Sequence, residues 1–475
     1  MKPSQLLLGL ALLTVACADD QFTSPPRGER DAAARISAAL TGATPVNAHI
    51  IVFDTTNFVP AGFDILVRQL GGVLSFLSQP AGVAAVHGLS DALAAQLAAL
   101  PGVFSVTRDV RITWLPVGET PSAPVGAPPG GAQAVSPSPA ADSLWNLQWG
   151  LHVIQADQAW AAGFTGIPAV RVGILDTGID YGHTELQGVV DLTLSRSFVV
   201  GDPVQPGDSA FMDYYFHGTH IAGIIAAQMY RMVGVSPNVT LVAVKVLNAQ
   251  GQGTFENVMA GINYAASVPL DVINLSLGAL LTRSDPAVRD LDHAMTRVIR
   301  AAEAAGAVVI AAAGNNSTNL NDNTVIELPC EEATLCITAT GPLLQQNFDQ
   351  PASYTNFGAQ VIDLAAPGGN FDPINSANFQ QQDLVLSACS RRTTLPQLVQ
   401  CRDTTQVFYV YAAGTSMATA HASGVAALAD ASHMGTLGPT QIVQHMVGGA
   451  DDLGPAGKDD FYGSGRINAY RTVLQ

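Results

Sequence analysis

Charge is scarce in this chain. Only 12% of its 475 residues are Asp, Glu, Lys or Arg, and the basic sign is the scarcer, 21 residues against 38. With a net charge of -17 there is no basic stripe to neutralise phosphates, which excludes nucleic acid as a partner. Long apolar runs are missing too: Leu6 to Ala16 is too short to span a bilayer, and no later segment is apolar enough. Cysteine is rare, with five residues, and none sits in the C-x2-C spacing that would suggest zinc. No repeat of 20 to 50 residues is present, which sets aside solenoids and propellers. What remains is 48% hydrophobic residues spread over a chain long enough for two or three structural units.

The N-terminus pairs Lys2 with the short apolar run and reads as an export signal over residues 1–17. Its ending "LTVAC" resembles a bacterial lipobox, so lipidation of Cys17 is expected; cleavage of an ordinary signal peptide nearby is the alternative. The protein is therefore expected outside the cytoplasm or in the cell envelope, its precursor touching the membrane only through that lipid. The other four cysteines suggest two disulfides in an exported chain. Short loops favour Cys330–Cys336 and Cys389–Cys401, with the two other connectivities open.

A tether over 18–45 precedes a segment, 46–115, that reads strand, helix, strand, strand, helix, strand. Its first helix carries Phe63, Leu66, Val67 and Leu70 on one face, and Ser90 is placed to cap the second. That order is the split βαβ, ferredoxin-like α+β pattern. Residues 116–141 turn to Pro, Gly and small side chains, the composition of an exposed linker open to proteolysis. Beyond, over 142–475, buried-type runs such as "AVRVGILD", "VTLVAVKVL", "DVINLSL" and "AVVIAAA" alternate with helical stretches. Such runs predict a parallel sheet covered by helices on both faces, an α/β fold.

Functional groups of such sheets collect at the carboxyl ends of the strands. "VGILDTGID" brings Asp176 there, "YFHGTHIAGIIAA" starts a helix with His217, and "YAAGTSMATAHASGVAAL" opens another beside Ser416. Alone, each is weak: Asp176 could cap a turn, His217 and His220 could be a packed pair, and Ser416 could be a helix N-cap. Together they supply a nucleophile, a base and an acid.

The motifs DTGID, HGTHIAG, VINLSLG, AAAGN and GTSMA, in that order from about Leu144 to Val473, resemble those of subtilases, the subtilisin-like serine peptidases. The resemblance implies a subtilisin-like parallel sheet and a secreted serine endopeptidase that works through an acyl-enzyme. It assigns Ser416 as nucleophile, His217 as general base, Asp176 as the group orienting the imidazole, and Asn315 as an oxyanion-hole donor beside the Ser416 backbone N–H. His220 is then structural. Substrate polypeptide would lie between Gly251-Gln252-Gly253 and Ser276-Leu277-Gly278, with Ala312 to Gly314 lining the first pocket. The segment 46–115 matches a subtilase inhibitory propeptide, a partner in cis that is removed by self-processing. A monomer is expected, and no cofactor is required for the chemistry.

Three features depart from the family pattern. Ala420 stands where Pro usually follows the serine by four residues, and Thr184 replaces a common Pro. The loop "AAQMYRMVGVSP" lacks an insertion that carries calcium in several relatives; structural calcium stays open, with no metal ligand named. Two other readings compete: a catalytically inactive subtilase-fold binding protein, and an aspartic protease using the "ILDTG" of Asp176. The latter lacks a second such motif, and no G-x-S-x-G elbow supports an α/β-hydrolase.

Overall fold

A computed structural model of the chain describes residues 43–115, 119, 121–127, 144–375 and 378–475. The export segment, Cys17 and nearly all of the tether lie outside the described residues.

Seven strands form a parallel sheet in the spatial order Leu364–Pro367, Leu335–Thr340, Val308–Ala312, Val272–Leu275, Arg171–Asp176, Thr240–Lys245 and Arg196–Ser197. The alternation of side chains along each strand explains why these runs are apolar throughout. Val308 and Ile310 face the core that holds Ile221, Ala418 and Val425. Their neighbours Val309 and Ala311 face the opposite one, with Met259, Met295 and Ile299. Helices His217–Ala226 and Thr415–Ser432 cover the first face; Phe255–Ser267 and Pro286–Ala304 cover the second. The helix at Thr415 is rich in Ala and Gly, and small side chains let it lie close to the sheet. An added methyl at Gly424 would fall 2.6 Å from Val235.

The preceding unit takes the strand and helix order read from the sequence: Thr44–Phe53, Phe63–Gln69, Val73–Ser78, Val83–His87, Asp91–Ala98 and Val103–Thr113. Ser90 caps the second helix through Leu93 N–H. Its four strands do not end the sheet. Gln252–Thr254 adds a fifth, antiparallel to Val103–Thr113, pairing Arg111 with Thr254, Ile112 with Gly253 and Thr113 with Gln252. Ile50, Val52, Phe76 and Ile112 join Phe255, Met259 and Met295 in one apolar cluster across the interface, and polar contacts add to it. Asp109, fully buried, accepts from Phe255 N–H at 3.0 Å and Glu256 N–H at 3.3 Å, so it serves the open N-terminus of the helix Phe255–Ser267 from across the interface. Arg297 donates to Phe53 O at 2.7 Å, and His87 meets Glu256 at 2.5 Å.

The described part of 116–141 is docked in places, though Ala123 and Gly126 are exposed. Glu119 is buried, and Val125–Ala127 adds an antiparallel strand to Val407–Ala412. Ser122 N–H donates to Tyr411 O at 2.8 Å just before it. A Pro- and Gly-rich stretch builds no core of its own, but an extended backbone can still pair with an exposed strand edge. Both disulfides close the short loops, Cys330–Cys336 and Cys389–Cys401.

Candidate active site

Asp176 ends its strand, and His217 opens its helix directly above. Nδ1 of His217 lies 2.8 and 2.9 Å from the two carboxylate oxygens of Asp176, and both side chains are fully buried. Thr177 N–H donates to the same carboxylate at 2.6 Å, fixing its plane. Asp176 thus addresses an imidazole and not a second carboxyl, an arrangement unlike an aspartic protease dyad. Behind it, Asp213 receives Thr177 Oγ1 at 2.9 Å and Thr219 Oγ1 at 2.6 Å, and buried Lys245 donates to Thr177 O at 2.6 Å. This support was not read from the sequence, because no local pattern links positions 177, 213 and 245.

Ser416 is the second residue of the helix Thr415–Ser432, and Gly414 occupies the cap position, so the reading of Ser416 as an N-cap is set aside. Its Oγ donates to Ser276 O at 3.1 Å, while Ser276 Oγ donates to Ser416 O at 2.8 Å. Gly414 itself is extended and needs no unusual dihedral; the reason for glycine is space, since a methyl there would lie 2.0 Å from Glu119 Oε1.

Asn315 is held by Thr415, whose N–H and Oγ1 donate to Asn315 Oδ1 at 3.0 and 2.8 Å. A carbonyl oxygen that accepts from a backbone N–H leaves the amide one orientation, with Nδ2 turned into the cleft. There Nδ2 donates to Glu119 Oε1 at 3.1 Å. The other oxygen, Oε2, lies 2.9 Å from His217 Nε2 as an ion pair. Burial opposes charge on His217, yet Asp176 and then Glu119 outweigh it and raise its pKa to about 10. Glu119 was not singled out in the sequence. A signal existed: it is the only charged residue in 116–141.

The neighbouring histidines differ. His220 donates to no carboxylate; its Nε2 faces Val410 O and Val385 O at 3.0 and 3.2 Å, and burial lowers its pKa to about 3. His421 is likewise lowered to about 4 by burial. Neither faces Asp176, in keeping with a structural place.

Of the expected substrate residues, Gly251, Gly253 and Gly278 meet the chain leading to Glu119. Trp114 N–H donates to Gly251 O at 3.2 Å, Trp114 Nε1 to Gly253 O at 3.2 Å, and Gly278 N–H to Trp114 O at 2.7 Å. Gln252 pairs with Thr113. Ser276 engages Ser416 as above, and Gly314 N–H donates to Thr415 Oγ1 at 3.1 Å. Leu277 and Ala312 are fully buried, Leu277 within the apolar core. Among the described residues no group of three or more His, Cys, Asp and Glu side chains could hold a metal ion, and no helix is long and apolar enough to cross a membrane.

Comparison with known proteins agrees with this geometry. Residues 168–465 match the Subtilase family. Subtilisin DY of Bacillus licheniformis is 33% identical over 324 residues, 68% of this chain and 97% of that protein. Subtilisin BL of Lederbergia lenta is 32% identical over 327 residues, 68% of this chain and 97% of its own length. Among solved structures, a lanthipeptide protease superposes with a TM-score of 0.60 at 26% identity, covering 74% of this chain and 99% of that one. Fervidolysin from Fervidobacterium pennivorans, described as a keratinolytic enzyme related to subtilisin, has a TM-score of 0.69 at 21% identity, covering 93% of this chain and 62% of its own; at that identity the likeness speaks for the fold.

Proposed function

The chain belongs to the subtilase family of serine endopeptidases, and from that premise we propose that Asp176, His217 and Ser416 are its catalytic triad, with Asn315 in the oxyanion hole. Ser416 Oγ attacks the carbonyl carbon of a peptide bond and passes its proton to His217 Nε2, while Asp176 holds the imidazolium. The carbonyl oxygen takes the negative charge and receives Asn315 Nδ2–H and the Ser416 backbone N–H. Collapse breaks the C–N bond, and His217 protonates the leaving amine. Water, deprotonated by His217, then cleaves the ester and frees Ser416.

The observation that carries this reading is the convergence of His217 Nε2 and Asn315 Nδ2 on one carboxylate, 2.9 and 3.1 Å away. Those two groups are the ones the reaction needs, for the serine proton and for the oxyanion. The same observation supports reading the described state as an uncut zymogen. Residues 46–115 act as inhibitory propeptide, Trp114 and Glu119 occupy the cleft, and maturation leaves the catalytic domain after a cut between about Trp114 and Asp142. Export with lipidation at Cys17 belongs to the same proposal; mass spectrometry of the mature N-terminus tests it. The triad is tested by a fluorophosphonate probe: matured enzyme should be labelled at Ser416, with phenylmethylsulfonyl fluoride and not pepstatin blocking the label. Absence of labelling in folded, processed protein would favour an inactive binding protein.

A further inference from the structure

One buried acid beside the cleft has no cation. Glu327 lies on the strand Val325–Leu328, which pairs antiparallel with Ala279–Thr282, the segment running straight on from Gly278. It is 1% exposed. Its Oε2 accepts from the neutral amide of Asn356 at 3.3 Å, an amide that also donates to Ala313 O at 2.8 Å. Arg283, the nearby cation, is taken by Glu331 and by Val325 O at 2.7 Å. Among the described residues no Lys, Arg or His pairs with Glu327. Burial, reinforced by the Glu331 charge, pushes its carboxyl well above the ordinary range.

Position gives this acid its meaning. A methyl added at Gly278 would fall 2.5 Å from Glu327 Oε1, and one added at Gly314 would fall 2.7 Å from its Cδ and 2.8 Å from Oε2. The carboxyl therefore sits between two glycines that bound the peptide path. Gly278 holds the incoming strand at Trp114 O, and Gly314 precedes Asn315, which meets the reacting carbonyl in the proposed mechanism. A peptide laid between these segments directs the side chain just before the scissile bond toward the gap where both glycines leave room. A carboxylate buried without a cation is costly, and the group is held toward its neutral form instead. A guanidinium or ammonium delivered by the substrate would offset that cost.

We infer that Glu327 selects substrates with Arg or Lys immediately before the scissile bond, so that this endopeptidase cuts after basic residues. The inference rests on the proposed triad and adds its substrate class. A charged hydrogen-bonded pair in a desolvated site, cut on one side, loses on the order of 100-fold or more.

The test compares matched fluorogenic peptides with Arg, Lys, Leu or Phe before the reporter, using matured enzyme. Wild type should favour Arg and Lys in kcat/KM by at least about tenfold, and Glu327→Gln should lose roughly 100-fold on them while changing Leu and Phe peptides by less than about threefold. Labelled, active enzyme with no basic preference, or one that Glu327→Gln leaves intact, overturns the inference alone. Absent labelling and absent cleavage of every peptide overturn the triad and the inference with it. Should Glu327→Gln not fold, wild type decides. Benzamidine should inhibit cleavage of the Leu peptide at least about tenfold more strongly than neutral benzamide; equal inhibition overturns the inference.

Discussion

Glu119 pairs with His217 across two chain segments, and the direction of the His217 shift says how pH weighs on that contact. In the closed state His217 is raised from 6.5 to about 10, against the pull of burial, by Asp176 first and Glu119 after it. Asp176 stays beside His217 when the linker leaves, so only the Glu119 share of the rise separates closed from open; the closed form binds the proton more tightly and loses that advantage as pH rises through about 10. Asp109 at the interface acts in the same direction. Burial and the Glu256 charge raise it to about 7, so docking is favoured most in acid and loses this share as pH climbs through about 7. Release of the linker should accordingly quicken from pH 7 to pH 10, followed as precursor disappearance on gels. Glu119→Gln, which cannot hold the imidazolium by charge, should raise the rate at pH 7 and flatten the profile; an unchanged profile would count against the lock. Asn315→Ala tests a different atom. Loss of one such donor in a subtilisin costs about 100- to 1000-fold in kcat, and the same range is expected here with KM nearly unchanged.

At the scale of elements, much was legible because the relevant rules are local. Apolar runs four to six residues long announced strands buried on both faces, and Val308–Ala312 shows why, since its neighbours serve two different cores. Asp176, His217 and Ser416 could be read because each opens or ends such an element. Glu119 carries one local mark, as the lone charge of 116–141, but its partners stand 98 and 196 residues away, and a Pro/Gly-rich context looks the same whether free or docked. Glu327 was hidden for a related reason: on the strand it is one polar residue among apolar ones, and only the two glycines across from it reveal what it faces. The disulfides are an element-scale device that sequence spacing did suggest. They close loops of 6 and 12 residues, for which the chain-entropy account gives about 2 to 3 kcal/mol each. Reduction should lower the urea midpoint of unfolding with little change in slope, and the Cys389→Ser/Cys401→Ser pair should show the larger part.

The whole molecule poses a conflict that maturation has to resolve. Its own linker is a poor match to an enzyme that cuts after basic residues, for no Lys or Arg occurs between Ile112 and Val170. Yet Trp114 is pinned at Gly251 and Gly278, Glu119 meets His217 and Asn315, and Val125–Ala127 is pinned on Val407–Ala412, so the linker is tethered beside the groups of the proposed triad. Tethering of this kind is worth an effective concentration far above any free substrate, which lets a mismatched bond be cut once, slowly, where it would be ignored in trans. On the proposed zymogen reading, the same mismatch would keep the uncut linker an inhibitor in the meantime. Three outcomes follow for purified precursor. Ser416→Ala should stay at full length in a host lacking proteases that cut the linker, whereas wild type shortens to a domain that begins within the linker. The wild-type rate should not change over a hundredfold range of protein concentration, because nucleophile and scissile bond lie in one chain. And a synthetic peptide spanning residues 112–127 should be cut by mature enzyme far more slowly than an Arg peptide of equal length. If instead processing accelerates in proportion to concentration, one molecule is cutting another, and the segment at Glu119 serves only to block the cleft.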